Sequence, residues 1–119
     1  MAGYTRAGIR STLPITKAIV FNTAVGAATD IFTNALSPLS SPTTFRIYAC
    51  FDTAGILTVR RTRGGATVSE QLNNGVNLAA NAAYMFDILV ENGETINLQH
   101  SAGAQILYLK VEEVGGAIS

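Results

Sequence analysis

The sequence has one cysteine, one histidine, three prolines and no tryptophan. A lone thiol, Cys50, cannot close an intramolecular disulfide, so the fold must hold by packing alone, which suits a reducing compartment or one where thiols do not matter. Charge is also scarce, at 13% of residues against a usual share of roughly 25%. No apolar run approaches the roughly 18 residues of a membrane span. Met1 to Arg6 is not followed by the uninterrupted apolar stretch of a secretory signal, and no Asn-x-Ser/Thr acceptor occurs. The expectation is a soluble protein that is made and used without export by a signal peptide.

The residue types that carry chemistry are too sparse or too scattered to form a site. His100 follows Ile96 and Leu98 in phase, which makes it a semi-buried or strand-end side chain. No Gly-x-Ser-x-Gly frames a serine as an exposed nucleophile. Metal sites need clustered ligands, whereas Cys50 and His100 lie fifty residues apart. Glu112 and Glu113 are adjacent in a strand and point to opposite faces. Glu91 and Glu94 flank a turn with no third carboxylate nearby. Arg63-Gly64-Gly65 leads into a strand, whereas a phosphate loop leads into a helix, and it reads as a hairpin turn. Three of the four tyrosines, Tyr48, Tyr84 and Tyr108, lie in strand-like runs, which leaves no exposed stacking platform. The expectation is no catalytic residue, no cofactor, no metal, and no enzyme.

What is present is 48% hydrophobic residues under a surface of Thr, Asn, Ser, Ala and Gly. Such a surface tolerates burial against a neighbour, because few ions need desolvating. The charges that exist are split. Residues 1–63 hold seven basic and two acidic side chains, a net of +5, and residues 64–119 hold one basic and six acidic, a net of −5. Overall neutrality argues against nucleic acid as a partner. The split either pairs one subunit's basic region with another's acidic one, or is cancelled within the chain by interleaved strands.

The pattern along the chain is all-β. Alternation or apolar runs mark strands at 15–21, 30–36, 43–51, 56–62, 66–72, 84–90, 95–101 and 105–114, and no amphipathic helix intervenes. Gly64-Gly65 and Asn92-Gly93 supply hairpin turns, and residues 76–83 fit either a short helical turn or a crossing loop. On 43–51, Phe45, Ile47, Ala49 and Phe51 share one face, opposite Arg46, Tyr48 and Cys50. Tyr84, Phe86 and Ile88 face inward, as do Ile96 and Leu98. The expectation is an antiparallel β-sandwich or jelly roll of about eight strands, one domain over 14–119, with residues 1–13 as an extended N-terminal arm.

The runs 55–62, 70–73, 83–98 and 106–114, with their strand-and-turn grammar, their Thr-, Ala- and Asn-rich surface and the free arm, resemble the small β-sandwich proteins that decorate the capsids of tailed viruses. The resemblance implies a decoration or cement subunit on the virion surface, made in the host cytoplasm. Its partners would be the major capsid protein or like subunits, often as a homotrimer, with neither nucleic acid nor membrane engaged. In the arm, Tyr4, Arg6, Ile9, Arg10 and Leu13 are the expected partner-binding side chains, since no pattern buries them in the chain's own sheet. Two other readings stay open: a self-assembling filament or shell subunit, and a carbohydrate-binding jelly-roll module acting in adhesion.

Overall fold

The computed structural model describes residues 16–39 and 43–114. Seven strands form two antiparallel sheets: β1 (Lys17–Val25), β2 (Thr43–Phe51), β3 (Leu57–Arg63), β4 (Ala66–Gln71), β5 (Tyr84–Val90), β6 (Thr95–His100) and β7 (Ala104–Glu113). One sheet runs β1-β7-β2-β5 and the other β4-β3-β6. Each sheet presents one apolar face inward, and the two faces enclose a single core that includes Phe45, Phe51, Leu57, Val59, Ile96, Leu98, Leu109 and Val111. The fold is a four-on-three β-sandwich.

Strand β2 shows most plainly why these residues form this sheet. Its burial alternates without a break from Thr43 to Phe51, as period-two side chains require when one face is dry and the other faces out. It is one of two inner strands of its sheet, paired with β5 on one side and β7 on the other. The β3–β4 hairpin turns on Gly64 and Gly65 at φ 60° and 83°, with Arg63 paired to Ala66. Two successive positive φ values are the signature of a two-residue primed turn, which matches the right-handed twist of the flanking strands.

Among the described residues seven strands stand where about eight were expected, because residues 30–36 are not a strand. They lie along the outer edge of β6, with backbone bonds from Ile31 to Leu98 and both ways between Leu36 and Ile96. From Ile31 to Leu36 the segment advances five residues while β6 advances two, so its middle must loop away from the ladder. Asn97 fills that gap: its Oδ1 accepts the N–H of Phe32 at 3.0 Å and its Nδ2 donates to the Phe32 carbonyl at 2.8 Å. An irregular cover on an edge strand blocks edge-to-edge pairing with another chain. It also buries Asn97 between Ile96 and Leu98, where simple alternation would expose it.

Other boundaries moved for local reasons. Strand β1 continues past Asn22, whose φ of 50° resets its parity, so Val20 and Val25 both pack toward the core. The uneven burial of β7 follows from a shift in register opposite Cys50 and Phe51, which places both Ile106 and Leu109 inside. Residues 76–83 form a crossing loop pinned by a Gly55–Leu78 bridge, with Leu78 buried. Tyr84, Phe86 and Ile88 do face the core, yet they are only half-buried. Strand β5 is the edge of the wider sheet, and the opposing sheet has only three strands, of which β4 is exposed along its whole length.

Candidate functional site

The chemistry-bearing residues cluster on the outer face of the four-stranded sheet. Register alone aligns a row of charges straight across it: Lys17 on β1 opposite Glu112 on β7, Glu112 opposite Arg46 on β2, and Arg46 opposite Asp87 on β5. The signs alternate. Arg46 grips Asp87 in a two-pronged bond, Nε to Oδ1 at 2.8 Å and Nη2 to Oδ2 at 3.0 Å. That bond holds the guanidinium above its ordinary pKa and the carboxylate below its own. Lys110 sits 3.3 Å from Glu112, and hydrogen bonding to that carboxylate raises the lysine's pKa.

Beside the charged row, two residues along each strand, run Ile19, Lys110, Tyr48 and Met85, with the ammonium of Lys110 4.6 Å from the centre of the Tyr48 ring. The next row holds Phe21, Tyr108 and Cys50, with the Phe21 and Tyr108 rings 4.9 Å apart. Phe21 is 63% exposed, Leu89 55%, Met85 54% and Ile19 47%. Four large apolar side chains on one sheet face, interrupted only by charges that already have opposite neighbours, present area to bury with little unpaired charge to desolvate.

A second charged cluster is internal to the fold. Arg61 on β3 bonds Glu70 at 2.9 Å, Glu94 at 2.8 Å and the Leu89 carbonyl at 2.7 Å, tying the β3–β4 hairpin to the 91–94 turn. That turn is not the expected hairpin, because it carries the chain from β5 in one sheet to β6 in the other. Glu94 also accepts the backbone N–H of Glu91. This bond, seconded by Arg61 and opposed by partial burial, lowers its pKa. Its oxygens are thereby committed to holding the 91–94 turn. Glu112 and Glu113 diverge as their adjacency requires: Glu113 turns inward and accepts the N–H groups of Thr16 and Leu39 at 2.7 and 2.8 Å. Among the described residues no three His, Cys, Asp or Glu side chains are grouped as a metal site.

His100 is fully buried, deeper than its position at a strand end implies, and its ring lies 4.5 Å from that of Phe51, tilted by 34°. Its Nδ1 accepts the N–H of Ala102 at 3.3 Å, and Nε2 has no hydrogen-bond partner. Burial pushes its pKa down, against the opposing pull of the Thr53 backbone and the Asp52 carboxylate. Gly55 closes over the ring so tightly that a Cβ there would lie 2.3 Å from Cε1. The imidazole is thus enclosed by the fold and packs within the core.

The expected partner-binding residues Tyr4, Arg6, Ile9, Arg10 and Leu13 lie outside the described residues. The outer-face rows were not anticipated: the sequence reading placed its site residues in the arm. The signal was the charge split: basic residues in the first half of the chain and acidic residues in the second. The strand order β1-β7-β2-β5 alternates the halves, so a block pattern in sequence becomes an alternating row in space. Arg46–Asp87, Arg61–Glu70, Arg61–Glu94 and Arg63–Glu94 all join one half to the other. Among the described residues these four pairs offset much of the asymmetry within the chain.

No family model matches the chain, and no curated protein matches it. Among solved structures it is similar to the globular domain of the zebrafish complement 1qA protein, at 12% identity and a TM-score of 0.47, covering 86% of this chain and 96% of that one. The sandwich described here stands on the strand pairing of the chain itself.

Proposed function

We propose that the chain is a non-enzymatic structural subunit of a virion: a capsid decoration or cement protein that packs on a lattice of major capsid protein and steadies it. The observation that carries this reading is the outer face of the four-stranded sheet, with Ile19, Phe21, Met85 and Leu89 exposed around charges of which all but Lys17 are paired. A protein that works by covering other proteins needs such area and needs few free ions. The sparse overall charge supports the same reading, as does the strand-and-turn resemblance to capsid decoration proteins. Under it, the arm residues Tyr4, Arg6, Ile9, Arg10 and Leu13 engage the lattice, and the sandwich packs against like subunits.

The test is compositional. Virions purified from the source of the gene should contain the chain in fixed proportion to the major capsid protein, and shells stripped of it should take the purified chain back. Particles that lack the chain and shells that do not bind it would overturn the reading. Spontaneous growth of filaments or closed shells by the purified chain alone would favour the polymer subunit instead, and specific signals on a glycan array would favour the adhesion module.

A further inference from the structure

We propose that the outer face of the four-stranded sheet is a self-association surface, on which a second copy of this chain docks face to face about a twofold axis that runs parallel to the strands between β7 and β2. The proposal rests on the reading of the chain as an assembly subunit and adds the surface, the partner and the symmetry.

The charged row selects both. Across the sheet it reads Lys17, Glu112, Arg46, Asp87, plus to minus to plus to minus. A twofold axis along the strands reverses the order of strands and keeps each row opposite itself. Lys17 then faces the partner's Asp87, and Glu112 faces the partner's Arg46, so every opposition is between unlike charges. A twofold axis across the strands and through the charged row would keep the strand order and set Lys17 against Lys17, Glu112 against Glu112 and so on, which is repulsive throughout. Like-charge juxtaposition is the main device by which an interface rejects a wrong arrangement. The eight charges of the charged rows sum to zero, and the neighbouring row adds one cation per copy, Lys110, which is held by its own Glu112 and lies over its own Tyr48 ring.

The neighbouring rows obey the same operator. Ile19 falls opposite the partner's Met85, apolar on apolar. Lys110, already over its own Tyr48 ring, falls opposite the partner's Tyr48, and Tyr108 opposite the partner's Cys50. An isologous contact of this kind is closed, so it ends at two copies. Four strands about 4.8 Å apart and roughly three rows along each give a face about 19 Å across and about 20 Å long, roughly 400 Å² per copy, which is about half the ~800 Å² per partner of a standard stable interface and in the range of weak contacts. The dimer is therefore expected to be concentration-dependent, with its rows matched at the usual ~10 Å sheet separation.

Light scattering across a dilution series should show twice the 12.5 kDa chain mass, falling to one chain mass on dilution. Lys17→Glu and Asp87→Lys, made separately, each put like charges together at two symmetric places, and each should weaken dimerisation about tenfold. Mixing the two variants should restore it to within a few-fold of the original, because in the mixed dimer both places again hold unlike charges. Thermal melting of each variant separates lost association from lost folding, and a variant that melts early is replaced by the milder Lys17→Gln or Asp87→Asn. A trimer, a monomer at every concentration, or a dimer that the single variants leave intact or the mixture does not restore would overturn the proposal. In those cases, binding of the same preparations to stripped shells reports separately on the assembly reading.

Discussion

Acid should unfold this protein through His100 before any carboxylate is involved. The imidazole is fully buried against Phe51 and under Gly55. Its Nδ1 accepts the Ala102 N–H, so its proton sits on Nε2 and the ring is neutral. Protonation would remove that acceptor and place a cation in the core, with only the Thr53 backbone and the Asp52 carboxylate to oppose the burial cost. The folded pKa therefore lies below 6.5, the ordinary value. The unfolded chain then binds the proton more readily than the folded one. Stability is complete above pH 6.5 and is lost as the pH falls from there through the folded pKa, at up to about 1.4 kcal/mol per pH unit. The carboxylates whose pKa values are lowered in the fold, Asp87 and Glu94, lose their contribution only below their unfolded values of 3.8 and 4.5. The interval from pH 7.5 to 5.5 thus isolates the histidine. Urea unfolding at those pH values and at 6.5 should show the chain losing stability as the pH falls, by at most about 1.4 kcal/mol per pH unit, while His100→Leu, similar in size and unable to ionise, stays flat. A flat profile for the unaltered chain would refute the neutral buried assignment, and an unchanged slope in the variant would move the titration to another group.

Four further outcomes are expected. Phe45→Ala should cost about 3–5 kcal/mol in denaturant unfolding, and Phe86→Ala roughly half as much, because the edge position of β5 leaves Phe86 partly wet; equal losses would mean β5 is covered after all. Gly65→Val should cost on the order of 1–2 kcal/mol from the left-handed backbone at φ 83°, read as a drop in melting temperature, since a Cβ there meets nothing within 4 Å. Cys50 is free and half-buried on the outer face, so melting should be the same with and without reductant, and a disulfide-linked pair on a non-reducing gel of the native assembly would contradict that. Deleting residues 1–13 should leave the melting temperature within a few degrees and weaken attachment to shells in a salt-sensitive way; unfolding on truncation would make the arm part of the core.

Local pattern was enough wherever a strand has one dry face and one wet face. Strands β2, β3, β5 and β6 were legible because period-two alternation and Gly-rich turns are properties of neighbouring residues. The two faces of 43–51, the outward Cys50, the divergence of Glu112 from Glu113 and the absence of amphipathic helices all followed from the same spacing. What only the tertiary structure decided are matters of who lies beside whom. Residues 30–36 carry a strand's composition, but the edge they meet is already clasped by Asn97, which takes the Phe32 backbone that a ladder would have used. Phe86 has the right parity for the core, but sheet width determines how dry it is. The charge split is visible in the chain as two blocks; strand order turns it into an alternating row, because β1 and β2 come from the basic half and β7 and β5 from the acidic half. Periodicity records which way a side chain points. Its neighbours across the sheet depend on long-range pairing, which no window of sequence contains.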